Sequence, residues 1–318
     1  MSMDKCHMLM SFCSQIADLE LPGELMVPKK YYYCLNRIDS PLKVVLEQTV
    51  YQLYRIVNTL LLKNTESASR LLQLSVPNSI LITPKVELIQ DTSHALTLLD
   101  MLQEHCTTLN VCAEEVVLWY YEQIVSAKTR GVQATPSLLK EVLRQIESTL
   151  LPSTIMIRQA HAVYSNPTHF YTFRKMLCSN LALVGLAEYV FHLTRLDPGH
   201  IVINRDSGFT SADGLTFATR ESATGLLNAD RPVPFRMTPC LSALLGATLG
   251  GQLGPFMIAA VRALSPQTLP LYVRLLLWHA YNIDCGNTGD SLMNDCDRQM
   301  QLVTRTVTSV SSRQISKY

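Results

Sequence analysis

The chain has 318 residues and a mass of 35.6 kDa, enough for one large domain or two modest ones with a full core. Hydrophobic residues make up 47% and charged residues 17%, which excludes disorder as the global state. A formal net charge of +1 offers no broad electrostatic footprint, so direct contact with nucleic acid or a membrane surface is not expected.

In chain order, the first twenty residues are apolar and sulfur-rich without a clear period. Leu21-Pro22-Gly23-Glu24 is a turn signal, Tyr31 to Leu35 suits a short strand, and Pro41 ends that region. From Lys43 to Lys63 apolar residues recur at three- and four-residue steps, which predicts a helix closed by Asn64-Thr65-Glu66-Ser67. Three β-like runs follow, Leu71 to Val76, Ile80 to Thr83 and Lys85 to Gln90, punctuated by Pro77 and Pro84. Thr92-Ser93 is placed to cap a helix from His94 to His105. Further helices are predicted over Ala113 to Lys128, after Thr135-Pro136-Ser137, and from about His169 to Thr194. Ile201 to Asn204 reads as extended, within one small β insertion near residues 201 to 219. No charge occurs between Arg236 and Arg262, a length that could cross a bilayer. Its prolines and glycines favour two short buried helices joined by a Gly250-Gly251-Gln252-Leu253-Gly254 turn, with further helices toward the end.

Nine scattered cysteines and an opening without a secretory signal imply an intracellular chain with reduced thiols. Cys106 and Cys112 near His105, and Cys285 and Cys296, lack zinc-site spacing, so no metal is expected. Cys178 and His192 stand fourteen apart on one predicted helix, roughly 20 Å, too far for a thiol–imidazole pair.

Two clusters carry a family resemblance. One runs from Phe170-Tyr171-Thr172-Phe173-Arg174-Lys175 through Ala187-Glu188-Tyr189-Val190-Phe191-His192-Leu193-Thr194-Arg195-Leu196-Asp197-Pro198. The other is Ala223-Thr224-Gly225 followed by Arg231-Pro232-Val233-Pro234-Phe235-Arg236-Met237-Thr238-Pro239. Together they resemble the kinase-like region of the phosphatidylinositol 3-kinase-related family, and more narrowly its TRRAP-like pseudokinase branch. The resemblance implies a mainly helical α+β chain with the two-lobed phosphatidylinositol-kinase-like, or protein-kinase-like, fold. Residues 1–92 would form an eroded N-lobe of a few strands and one helix. Residues 93–318 would form a helical C-lobe ending before the family's C-terminal tail segment.

Phosphoryl transfer needs a phosphate cradle, groups that hold Mg²⁺, and a carboxylate to orient the nucleophile. Aligned on Pro198, the resemblance sets Arg195 at the catalytic aspartate position, a permanent cation unable to accept a proton. Asp197 stands at the family histidine position and His200 at the metal-binding asparagine position. A shifted register would nominate Asp197 as the base but misplaces Pro198; an Arg195–Asp197 ion pair is the plainer reading. Asp213-Gly214 is a possible remnant of the metal-binding motif, or an ordinary tight turn. No glycine lies between Leu35 and Lys43, so the phosphate cradle is missing, and Lys43 reads as a solvated helix-end lysine.

The resemblance therefore implies a catalytically inactive scaffold, working in the nucleus within a TRRAP-type transcription coactivator. Its partners would be protein subunits of a histone acetyltransferase complex, with no cofactor. The competing readings are a divergent lipid or protein Ser/Thr kinase with residual ATP binding, and a degenerate or partial gene product.

Overall fold

The computed structural model describes residues 8–13, 30–37, 41–83, 85–90, 95–130, 135–191, 193, 198–212, 215, 237–246 and 249–264, with isolated positions at 269, 271–273, 275–276, 301 and 304–305. The first strand, β1 (Met8–Cys13), falls where the sequence showed no period. It pairs antiparallel with β2 (Lys30–Arg37), from Met8 opposite Leu35 to Cys13 opposite Lys30. A strand is defined by its neighbour's hydrogen bonds as much as by its own pattern, and that neighbour lies well downstream.

From β2 the chain passes across residues 38–40 into α1 (Pro41–Lys63), with Pro41 at the first turn, where its missing N–H is harmless. Val50, Leu53, Tyr54, Val57 and Leu61 are buried along one face of α1, as the helical spacing predicts. Asn64 to Ser67 do more than close this helix. Asn64 Oδ1 accepts from the N–H groups of Glu66 and Ser67, both at 3.1 Å, and caps the short α2 (Thr65–Ser69).

The expected strand over Leu71 to Val76 is irregular instead. Leu72 and Leu74 are buried, but the backbone of Leu74 is satisfied by a side chain. Asn58 of α1 donates to Leu74 O at 2.9 Å and accepts from Leu74 N at 2.8 Å. An amide that mimics a strand edge removes the need for one. The next two runs form β3 (Ser79–Thr83) and β4 (Val86–Gln90) as expected. The first sheet has the order β1-β2-β4-β3, antiparallel throughout.

The expected cap at Thr92-Ser93 is displaced. Residues 95–97 form β5 (Ala95–Thr97), and Thr97 caps α3 (Leu98–Thr108). Its hydroxyl accepts from Asp100 N and Asp100 Oδ2 accepts from Thr97 N, each at 2.9 Å, a complete capping box. Then follow α4 (Ala113–Thr129) and α5 (Pro136–Thr149), the latter with Pro136 in its first turn, as read from the sequence, and capped by Thr135. They pack on each other around Val116, Val142 and Ile146, a satellite of the main core. An unanticipated helix, α6 (Ile155–Val163), leads to the central helix α7 (Pro167–Phe191). From Leu177 to Phe191, α7 is buried on every side except at Tyr189, so it is surrounded rather than amphipathic.

A second sheet, β5-β6-β7, contains β6 (Ile201–Asn204) and β7 (Thr210–Ala212). Two helices follow, α8 (Pro239–Leu245) and α9 (Leu249–Leu264). Two helices were expected, but the break between them falls at Gly246, at φ 99°, and not at the Gly250–Gly254 string. Those glycines lie within α9, held there by burial of Leu253, Ala259, Ala260 and Val261. Tertiary burial overrides the low helix propensity of glycine. Glu66 accepts from Arg70 at 3.0 Å and from Arg262 at 2.8 Å, tying α2 to α9. One continuous core joins α1, α7, α8, α9 and β6. Among the described residues, no helix is long and apolar enough to cross a membrane. Cys285 and Cys296 lie outside the described residues.

Candidate functional site

The last turn of α7 feeds the segment that should carry the chemistry. Leu193 is fully buried and donates its N–H to Glu188 O at 3.2 Å, anchoring the exit from the helix. Arg195 and Asp197 lie outside the described residues, as do His192, Asp213, Gly214 and the Arg231–Arg236 part of the second cluster. His200 is described, and it is exposed at the start of β6 beside fully buried Ile201. The turn before it is pinned to α3: Leu99 N donates to Pro198 O at 3.1 Å, and Gly199 faces the Leu99 side chain. Ala212 and Leu215, both buried, flank the Asp213-Gly214 pair.

An imidazole suits borderline metals, whereas Mg²⁺ takes oxygen ligands, so His200 is a poor substitute for an asparagine at a magnesium site. Among the described residues, no three His, Cys, Asp or Glu side chains come together to hold a metal.

The β6–β7 turn is built by residues 204 to 208, to which the sequence analysis assigned no role of their own. Asn204 Oδ1 accepts from Asp206 N at 2.9 Å and from both Ser207 N and Ser207 Oγ at 3.0 Å. Gly208 closes the turn in the left-handed region, at φ 75°, with its N–H on Asn204 O at 2.9 Å. The Asn-x-Asp-Ser-Gly composition was the available signal.

On the other sheet, α1 clasps β4 through Gln48. Its Nε2 donates to Glu87 Oε1 at 2.6 Å and to Ser79 Oγ. Glu87 is buried, and that burial pushes its carboxyl above the usual range, opposed by the Gln48 hydrogen bond. The folded state therefore holds this proton more tightly than the unfolded chain. Its contribution to stability falls as pH rises from the ordinary glutamate value through the raised folded one. Glu87→Gln keeps an acceptor for Gln48 and removes the titration. Thermal midpoints measured from about pH 4 to about pH 7 should rise above wild type at the upper end and lose that part of the pH dependence. Identical pH profiles for the two proteins would contradict this.

Two groups in the core are inert. Burial pushes the Cys178 thiol up to about 11, so no thiolate forms there near neutral pH. Burial, reinforced by the nearby Glu188 carboxylate, likewise raises Tyr54, whose hydroxyl has no partner among the described residues. Removing a buried unsatisfied hydroxyl should help: Tyr54→Phe is expected to raise stability by about 1 kcal/mol in urea unfolding. A loss of similar size would mean that the hydroxyl is bonded.

The architecture, a small antiparallel sheet with one long helix followed by a helical region holding a three-stranded hairpin sheet, defines a kinase-like fold. The "FAT and kinase domain of CtTel1" superposes with a TM-score of 0.65, at 16% identity, over 88% of this chain and 20% of that chain. Human "Transformation/transcription domain-associated protein" is 28% identical over 98% of this chain, which spans 9% of that relative's length. Drosophila melanogaster "Transcription-associated protein 1" is 30% identical over 81% of this chain and 8% of its own. The chain is a TRRAP-like member of the phosphatidylinositol 3-kinase-related family. Saccharomyces cerevisiae "SAGA complex/NuA4 acetyltransferase complex subunit TRA1" is 24% identical over 63% of this chain and 6% of its own. No family model matches the chain. The human alignment runs over 361 positions, more than the 318 residues here, so that relative carries residues within the matched stretch that this chain lacks.

Proposed function

We propose that this chain is a catalytically inactive kinase-like module, a scaffold for protein subunits of a nuclear acetyltransferase coactivator. Residues 1–92 serve as its reduced N-lobe and residues 93–318 as its helical C-lobe. What supports the reading is a kinase-like overall fold combined with a Pro198–His200 segment whose residues depart from the catalytic pattern of the family. His200 stands where a metal-binding asparagine belongs, after Arg195 at the aspartate position and Asp197 at the histidine position. In this reading Asp213 holds no metal. A histone acetyltransferase subunit would bind the folded surface, and no nucleotide would be needed.

The test is a thermal-shift titration of the full chain with Mg-ATP, and with ATP plus EDTA. No shift at millimolar nucleotide is the expected result. A ligand present at a hundredfold over its dissociation constant adds about 2.7 kcal/mol, which moves the midpoint by roughly 2 °C or more. A Mg²⁺-dependent rise of that size, lost in Asp213→Ala, would overturn the inactive reading. Co-purification of the tagged chain with acetyltransferase subunits from nuclear extract tests the scaffold role.

A further inference from the structure

A cavity of about 140 Å³, open to solvent on one side, lies among α3, α6, α7, α8 and β6. Met101, Met156, Ala160, Phe173, Ile203 and Leu244 form its apolar wall, and all six are buried. Its rim carries opposite charges that neutralise one another, with Arg205 Nη2 at 2.7 Å from Glu104 Oε2. Between wall and rim stands Gln159. Its Nε2 is committed, donating to Met101 O at 3.1 Å and to Glu104 Oε2 at 3.4 Å. Its Oε1 is shielded from solvent and has no partner among the described residues.

A buried amide oxygen without a donor is costly, and native structures supply one. Water is a poor candidate, because a buried water needs two to four polar partners, and the polar groups nearby are already paired, Arg205 with Glu104 and the Tyr164 hydroxyl with Arg205 O, while the rest of the lining is apolar. A volume near 150 Å³ with such a lining accepts a benzene-sized molecule. Methionine sulfur and the Phe173 ring favour an aromatic body. The neutralised rim gives no advantage to a charged ligand. We propose that this cavity binds a small neutral aromatic alcohol of the phenol class, whose ring fills the apolar wall and whose hydroxyl donates to Gln159 Oε1. The ligand would brace Phe173, whose carbonyl oxygen faces Gly208 of the β6–β7 turn.

The experiment is an NMR titration of the full chain, labelled at its methionine methyls, with p-cresol and separately with toluene. The Met101 and Met156 signals should shift and saturate, with p-cresol binding roughly threefold to tenfold more tightly than toluene. Gln159→Leu should abolish that preference while toluene still binds. Ala160→Leu, which fills the cavity, should abolish both. The proposal is overturned if neither methyl shifts at millimolar p-cresol, or if toluene binds wild type equally well. Retention of the p-cresol preference in Gln159→Leu overturns it too, whether or not Ala160→Leu folds.

Discussion

Gly208→Ala should lower stability by about 3 kcal/mol or more, the sum of a left-handed backbone penalty and a steric clash. Gly208 holds φ 75°, where an L side chain is strained. An added Cβ would stand 2.5 Å from Phe173 O and 3.0 Å from Phe173 Cδ2. The first of these is backbone in the central helix, so it cannot swing aside; the whole β6–β7 turn must lift off α7. In a chain of this size the midpoint should fall by roughly 4 °C or more. Gly254 is the internal control. It lies within α9, where an added Cβ meets nothing within 4 Å. Gly254→Ala should therefore leave stability unchanged or raise it by up to about 1 kcal/mol. Equal effects from the two substitutions would show that the turn is not held against α7.

Phe191→Ala is expected to cost about 3 to 5 kcal/mol in urea unfolding, through lost burial and the cavity left behind. Phe191 ends α7 and is completely buried in the main core, next to the fully buried Leu193. The effect should extend to β6, because this turn of helix precedes the segment leading to His200. Faster amide exchange in β6 should accompany the loss of stability. Tyr189→Ala, two residues earlier and 40% exposed, should cost less, about 1 to 2 kcal/mol. A comparably small effect at Phe191 would mean that the end of α7 is not packed as described.

Helices announced by local spacing were legible from the amino-acid order. The apolar recurrence along α1, the Thr135-Pro136 start of α5 and the long apolar run of α7 each depend on residues within a few turns. The departures from the family's catalytic pattern that the resemblance implies were read for a related reason. What occupies positions 195, 197, 200 and 213 is a matter of residue identity once the surrounding string resembles a family. Other features needed the tertiary structure, because their causes are distant in the chain. β1 is a strand since β2 pairs with it, and Leu71 to Val76 is not one since Asn58 occupies its backbone. The glycines at 250–254 are helical because α9 is packed into the core. Gly208 is critical because Phe173 lies against it, and the Gln48–Glu87 clasp joins residues thirty-nine apart. Spacing along the chain determines what a segment can become; burial and hydrogen bonding between remote segments decide which possibility is realised.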